Sequence, residues 1–179
     1  MAGSPRIIPR WATHELLAQL ETHRVVSVVG CRQSGKTTIL LKTPLPHVKF
    51  QSLDVQANFS AAVADPSYFV RRRSPDLLVI DEIQKVPQLI GEIKFQVDRS
   101  PEKGQYIISG SSDYRKLPQA NESLAGRAGL VRVRTFSEAE QRSMQPGFLQ
   151  ALFDGLLPLS LRFDCSKEMV LETVIRGGY

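Results

Sequence analysis

One eight-residue stretch has the residue types and spacing needed to hold a phosphate group. It covers residues 30–37 and reads G-C-R-Q-S-G-K-T. The two glycines allow the backbone to curl so that several N–H groups point into one hollow, and a helix starting there adds its positive dipole end. Lys36 can reach the β- and γ-phosphates of a nucleotide, and the Thr37 hydroxyl can bind Mg²⁺. The stretch therefore predicts a site for a nucleoside triphosphate.

The predicted nucleotide-binding set is the whole loop together with the residue that follows it. The pattern assigns no chemical role to two members of this set. Arg32 either lies over the loop or contacts solvent, and Cys31 is a small loop residue with no neighbouring base to make it a nucleophile. The set comprises Gly30, Cys31, Arg32, Gln33, Ser34, Gly35, Lys36, Thr37 and Thr38.

Two elements must position this loop, and the sequence predicts both. We predict a strand over residues 24–29, because its mainly apolar run over residues 25–29 is typical of a strand buried on both faces in a parallel sheet. The helix after the loop should end near Thr43, because Pro44 and Pro46 follow and proline does not extend a helix. A strand before and a helix after are the context in which G-x-x-x-x-G-K-[ST] is a P-loop.

Strands and helices alternate along most of the remaining chain. The hydrophobic pattern predicts strands over residues 48–54, 77–80, 105–108 and 130–134, and helices over residues 14–22, 58–64 and 87–97. Such alternation indicates an α/β fold with a parallel sheet and right-handed crossovers. Ligands of these sheets bind at the carboxyl ends of the strands, so the polar groups that follow the strands should converge there.

Two acids follow the four apolar residues 77–80 of the third predicted strand. We expect Asp81 to hold Mg²⁺, usually through water, because magnesium prefers octahedral oxygen shells. Glu82 points elsewhere and can orient and deprotonate a water for attack on the γ-phosphate. The alternative for Glu82 is a solvated charge at the end of a strand. A P-loop protein that only transfers phosphate to a bound substrate does not require this second acid.

Three further residues are candidates for catalysis. Ser109 or Ser111, after the next strand, can donate a hydrogen bond to the γ-phosphate or to the attacking water, although Ser-Gly-Ser is also a common turn. Arg127 can act as an arginine finger on the γ-phosphate of a neighbouring subunit in a homo-oligomer. The competing explanation for Arg127 is a surface arginine after a glycine that ends a helix.

Composition narrows the class of protein. A chain of 179 residues has room for one domain with a substantial core, and its two cysteines make neither a disulfide framework nor a metal cluster. No apolar stretch approaches the roughly 20 residues that cross a bilayer, so we expect no membrane contact and a cytoplasmic location. The net charge of +5 leaves contact with nucleic acid open, with charge as its sole support.

Taken together, the motifs resemble those of a known family. The matching stretches are residues 30–38, 78–84 with Pro87, 108–112, 123–127 and 136–138. In this order they resemble the predicted AAA+-type ATPases of bacteria and archaea, which usually carry a further C-terminal domain of poorly defined function. The resemblance covers about residues 10–140, and residues 176–179 add a further match.

The resemblance implies a P-loop NTPase three-layer sandwich around a central, mainly parallel sheet of about five strands. It makes Asp81 and Glu82 the Walker B pair, places Ser109 to Ser111 at the sensor position and puts Arg127 near the arginine-finger position. This chain has Ser109 where the family often has threonine, which keeps a hydroxyl. Since the family's C-terminal domain is missing, we expect this chain to be the N-terminal part of a longer protein.

The sequence therefore predicts Mg²⁺-dependent binding and hydrolysis of ATP, coupled to a conformational change in an attached or partner domain. Alternatives are an ATP-binding regulatory switch with negligible turnover, a nucleic-acid-dependent ATPase and a small-molecule kinase, against which the adjacent acids argue. No guanine-reading Asn-Lys-x-Asp motif occurs, which favours ATP. The predicted division is a lead-in with a helix (residues 1–23), the ATPase core (24–145) and a short helical C-terminal segment (146–179).

Overall fold

The computed structural model describes residues 8–71, 76–110, 124–144, 147–156 and 166–177. These residues belong to two compact units. One runs from Trp11 to Arg134, and the other consists of the described parts of residues 1–10 and 135–179. The division into residues 1–23, 24–145 and 146–179 stays a prediction.

A five-stranded sheet, with every strand parallel to its neighbours, is the centre of the first unit. The strand order is β2-β3-β4-β1-β5. The three inner strands bury all of their residues, which explains their unbroken apolar runs, whereas the two edge strands are partly exposed. The strands are β1 (Val25–Val29), β2 (Val48–Ser52), β3 (Leu77–Asp81), β4 (Tyr106–Gly110) and β5 (Ala128–Arg132).

Helices cover both faces of this sheet. Leu16, Ile39 and Leu40 pack with Val26 and Val28 in a cluster on one face. The larger cluster on the other face takes side chains from the three helices between residues 56 and 98, together with the alternate residues of the strands. The helices of this unit are α1 (Ala12–Thr22), α2 (Lys36–Lys42), α3 (Gln56–Ala64), α4 (Pro66–Phe69) and α5 (Gln88–Asp98), and a short 3-10 helix spans Ile83–Lys85. The parallel α/β sandwich predicted from the sequence is confirmed.

Several elements begin or end one or two residues away from their predicted bounds. Strand β5 begins at Ala128, two residues earlier than expected, because it pairs with β1 from Val25 onward. Its second residue is Gly129, where a Cβ would lie 2.1 Å from Oε1 of Gln19 in α1. The missing side chain allows α1 to pack closely on β5, but it also removes the apolar signal from which the strand was predicted. Helix α1 begins at Ala12 rather than His14.

The second unit contains three short helices among its described residues. Helix α6 (Glu138–Gln141) begins with a capping box in which Ser137 and Glu140 satisfy each other's backbone N–H groups. The Arg10 guanidinium binds the Glu140 carboxylate at 3.1 Å and lies 4.2 Å from the centre of the Phe136 ring. Helices α7 (Phe148–Phe153) and α8 (Lys167–Arg176) lie where the sequence predicts helices.

The helices of the described ranges are too short or too polar to cross a membrane. The cytoplasmic location stays a prediction.

Candidate functional site

The strand order brings most of the predicted groups to one edge of the sheet. Strand β4 lies between β1 and β3, so its last residues separate the loop that follows β1 from Asp81 and Glu82 at the end of β3. Ser109 pairs with Val28, two residues before Gly30. On the other side Ile108 pairs with Ile80, which brings Ser109 level with Asp81. We call this end of the sheet the carboxyl edge.

The curl of the P-loop depends on its two glycines. A Cβ on Gly30 would lie 2.2 Å from the Val133 carbonyl oxygen and 2.7 Å from Ser34 Oγ, distances that real Cβ atoms do not show. Gly35 has φ of 90° immediately before α2, a left-handed conformation that strains other residues. The loop therefore closes against the chain beyond β5 and turns directly into a helix N-terminus.

Lys36 lies with its ammonium group inside this curl. Its Nζ donates to the carbonyl oxygens of Gly30, at 3.0 Å, and Cys31, at 2.8 Å, and the side chain is buried. Around it the loop shows a mixture of exposed and buried residues: Cys31, Arg32 and Gln33 are exposed, as are Thr37 and Thr38, while Ser34 is buried. A glycine cradle, a helix N-terminus and an inward lysine suit a bound phosphate group.

The Asp81 carboxylate is the meeting point of the site. It is 3% exposed, and it accepts hydrogen bonds from the Thr37 hydroxyl at 2.9 Å, from the Ser109 hydroxyl, and from the backbone N–H of Glu82 at 3.2 Å. These hydroxyl and carboxylate oxygens are the hard ligands that Mg²⁺ prefers. The donor set therefore fits Mg²⁺, and Thr37 and Asp81 are the residues that could hold it.

Glu82 leaves the strand in a strained conformation. Its φ and ψ of 60° and 43° lie in the left-handed region, which is uncommon for a residue other than glycine and often marks a functional position. The half-buried carboxylate accepts a hydrogen bond from the Gln84 side-chain amide. Strand β3 thus ends at Asp81, and Glu82 has a different backbone conformation from its neighbour.

Arg127 lies at the other end of the sheet. Its carbonyl accepts from Val25 N–H, so it precedes β5 and lies level with the start of β1. Five residues of β5 separate it from the P-loop end, about 17 Å at about 3.3 Å a residue. Its guanidinium makes a two-pronged ion pair with Asp98, with N–O distances of 2.5 and 3.1 Å. The structure thus does not bring Arg127 to its own P-loop, and Ser111 lies outside the described residues.

Two residues at the carboxyl edge were missed by the sequence analysis. Val133 contributes the carbonyl that lies over Gly30, which no side-chain pattern encodes. Gln84 holds the Glu82 carboxylate. Its signal was present in the sequence, as the first amide side chain after the two acids, but spacing alone does not show which way a side chain points after a strand.

The fold and the site define the class of protein. This chain has the features of a P-loop NTPase: a parallel sheet, a glycine-bracketed loop after β1 and a buried aspartate at the end of β3. Within that class the chain belongs to a family described as an AAA domain, which matches residues 22–141. The chain therefore carries a P-loop nucleotide-binding domain of the ATPase type.

Two curated relatives come from mycobacteria. They are the uncharacterized protein Rv2008c of Mycobacterium tuberculosis and the uncharacterized protein Mb2031c of Mycobacterium bovis. Each is 35% identical over 125 residues, which make up 68% of this chain and 27% of the relative. The chain thus matches about a quarter of the length of these two proteins.

Two solved structures are similar to this chain at low sequence identity, and the first of them shares its fold. The Walker-type ATPase PABY2304 of Pyrococcus abyssi has a TM-score of 0.52 at 13% identity, covering 86% of this chain and 60% of that one. Cdc6p from Pyrobaculum aerophilum has a TM-score of 0.47 at 14% identity, covering 76% of this chain and 49% of that one.

Proposed function

We propose that this domain binds ATP together with Mg²⁺ and hydrolyses it, with Glu82 as the general base. The observation that carries the proposal is the arrangement at Asp81, whose buried carboxylate is contacted by the P-loop Thr37 and by Ser109 while Glu82 follows it in the chain. Nucleotide ligand, hard cation and base would thus share one edge of the sheet. A module that only bound phosphate would not need a base.

Each side chain has a role that its position supports. Lys36 and the loop N–H groups bind the phosphates, and Thr37 with Asp81 holds Mg²⁺, which neutralises developing charge when bound. Glu82 accepts a proton from a water whose oxygen forms the new bond to the γ-phosphorus, while the bond from that phosphorus to the leaving β-phosphate oxygen breaks. Ser109 keeps the Asp81 carboxylate oriented.

The coupled output is the second half of the proposal. Family members of this kind usually carry a C-terminal domain, and this chain covers 27% of its mycobacterial relatives. The free energy of ATP hydrolysis would then drive a conformational change in an attached domain or a partner protein. Oligomerisation belongs to the same proposal, because Arg127 reaches a nucleotide only if it belongs to a neighbouring copy.

The decisive experiment replaces Glu82 by Gln, which preserves the shape of the side chain. We expect Glu82→Gln to bind a fluorescent ATP analogue with unchanged affinity and to hydrolyse ATP at least about 100-fold more slowly, the usual range for a general base. Glu21→Gln on the exposed face of α1 is the matched control. Equal turnover in Glu82→Gln and the control would refute the assigned role.

The same assay separates the alternative functions. Tight ATP binding by the wild-type chain without single-turnover hydrolysis would favour a regulatory switch. A rate that rises with added DNA or RNA at low salt would favour a nucleic-acid-dependent ATPase. A rate independent of nucleic acid would remove the sole support for that alternative. The net charge of +5 would then be explained by the positive field that a phosphate-binding surface needs.

A further inference from the structure

The amide of Gln84 is in direct contact with the carboxylate proposed to act as the base. Its Nε2 donates to Glu82 Oε2 across a separation of two residues. An ionised carboxylate only accepts hydrogen bonds, so the amide nitrogen must face Glu82 and the amide oxygen must face the other way. The orientation of the Gln84 side chain is thus fixed by its partner.

The main chain between the two residues is held firmly. Ile83, between them, is fully buried, and the Lys85 N–H donates to the Glu82 carbonyl at 3.0 Å to close the 3-10 turn. Lys85 also pairs with Asp54 at 2.5 Å. Gln84 therefore presents its amide to Glu82 from a fixed backbone, although Glu82 itself is in the left-handed conformation.

Packing does not account for the amide. Gln84 Oε1 is buried and has no hydrogen-bond partner among the residues that the structure describes. A buried, unsatisfied amide oxygen destabilises a fold, so an apolar side chain of similar length would suit packing better. A polar residue that a fold does not need is a candidate for function.

We propose that Gln84 is a positioning residue, which sets the direction of the Glu82 carboxylate so that it faces the attacking water. This inference rests on the proposed function, because it gives Gln84 a role only if Glu82 is the base. The donated hydrogen bond keeps the carboxylate in one rotamer. Without the bond, Glu82 samples other rotamers, and the fraction of time in which it can accept the proton falls.

The test uses two replacements that keep the length of the side chain. Gln84→Met removes donor and acceptor, and Gln84→Glu keeps the shape but removes the donor and adds a like charge. We expect kcat to fall by about 10- to 100-fold in both variants, the range for a hydrogen bond to a charged group. KM and analogue affinity should stay within about twofold, because the P-loop contacts are untouched. Gln88→Met, on an exposed position of α5, should match the wild type.

Stability distinguishes positioning from a structural role. If Gln84 serves the base and not the fold, the melting temperature of Gln84→Met should equal or exceed that of the wild type. A lower melting temperature with a parallel loss of nucleotide binding would overturn the proposal in favour of a structural residue.

A double-mutant cycle separates this inference from the proposed function. In a Glu82→Gln background, Gln84→Met should lower the single-turnover rate no further, since the two residues act as one unit. A full additional loss there would show that Gln84 acts independently of Glu82 and would overturn the inference. If Glu82→Gln is impaired and Gln84→Met is not, the positioning role alone is wrong. If Glu82→Gln keeps its turnover, the proposed function fails first.

Discussion

The two ends of the sheet use charge in opposite ways. At the carboxyl edge, Asp81 accepts from two hydroxyl groups and a backbone N–H, neutral donors that leave its negative charge in place. At the opposite end of the strands, which we call the amino edge, Asp98 forms a two-pronged ion pair with Arg127, and the opposite charges cancel. The first arrangement leaves a carboxylate charge that a cation could share. In the second, the arginine already balances the carboxylate charge.

Exposure separates the two edges further. Asp81 is almost fully buried, whereas the side chains of Arg127 and Asp98 are 30% and 36% exposed. Solvent screens exposed pairs, and such ion pairs contribute little to stability. A buried carboxylate with neutral partners is expensive to keep charged unless a ligand shares the charge. The comparison therefore predicts that changes at the carboxyl edge act on function and changes at the amino edge act weakly on stability.

The largest effect on nucleotide binding should come from adding one carbon atom at the carboxyl edge. In Gly30→Ala the new Cβ meets the Val133 carbonyl oxygen, a backbone atom that cannot swing away, so the loop must open. We expect a loss of about 1–3 kcal/mol of stability, as for other overpacked sites. Affinity for an ATP analogue should fall at least about tenfold, because a tenfold loss requires the misplaced N–H groups to forfeit only about 1.4 kcal/mol.

Gly91→Ala in α5 is the matched control. A Cβ there meets nothing within 4 Å, and alanine favours a helix over glycine by roughly 1 kcal/mol. We expect stability equal to or above the wild type and normal binding. Calorimetric titration with the ATP analogue and urea unfolding measure both variants. Wild-type affinity in Gly30→Ala would contradict the structure of the loop.

Much of the carboxyl edge could be predicted from sequence because it depends on local patterns. Each of its parts can be recognised within ten residues of sequence. These parts are the P-loop motif, the apolar run before it and the two acids at the end of β3. Contacts between distant segments were different. Gly129 concealed the start of β5, and the carbonyl of Val133 over Gly30 is a backbone contact that no residue type encodes.

The end of the sheet on which a residue lies also depends on where its strand begins. Arg127 ends one of the stretches that resemble the family. Its place at the amino edge, however, is set by the pairing of Ala128 with Val25. Spacing along the chain does not reveal that register. Gln84 illustrates the same limit on a smaller scale, since its contact with Glu82 depends on a left-handed residue that breaks the strand direction.

A smaller effect is expected from Arg127→Gln at the amino edge. Its own P-loop is a strand length away, so affinity for an ATP analogue should stay within about twofold of the wild type. The melting temperature should drop slightly, and the drop should vanish in 1 M salt, where charges are screened within about 3 Å. Because both residues belong to one ion pair, Asp98→Asn should add nothing to the variant.

Turnover of Arg127→Gln tests whether this arginine has a role beyond the ion pair. If the predicted arginine finger acts in a neighbouring copy, the variant loses turnover only at protein concentrations at which chains associate. Turnover equal to the wild type at every concentration would leave Arg127 with the ion pair as its role. Reduced analogue affinity at low concentration would contradict the separation of the two edges.

The smallest effect is a dependence of stability on pH that belongs to the amino edge. The hydrogen bond from Arg127 lowers the pKa of Asp98 from its ordinary value of 3.8, and the charges of Arg127, Lys94 and Arg24 lower it further. The pKa of Arg127 is raised by the same hydrogen bond, to a range above any pH of interest. A carboxyl whose pKa is lower in the folded than in the unfolded chain binds fewer protons when folded, so stability falls as pH falls.

The contribution of Asp98 should therefore be complete at neutral pH and persist down to its ordinary value of 3.8. It should then disappear as pH falls through the lowered pKa of the folded state. Urea unfolding of the wild type and of Asp98→Asn across this interval measures it as a difference between the two proteins. That difference should shrink with acid and with salt. A difference that is constant through the interval would show that Asp98 contributes by packing rather than by charge, and the contrast between the two edges would then rest on Asp81 alone.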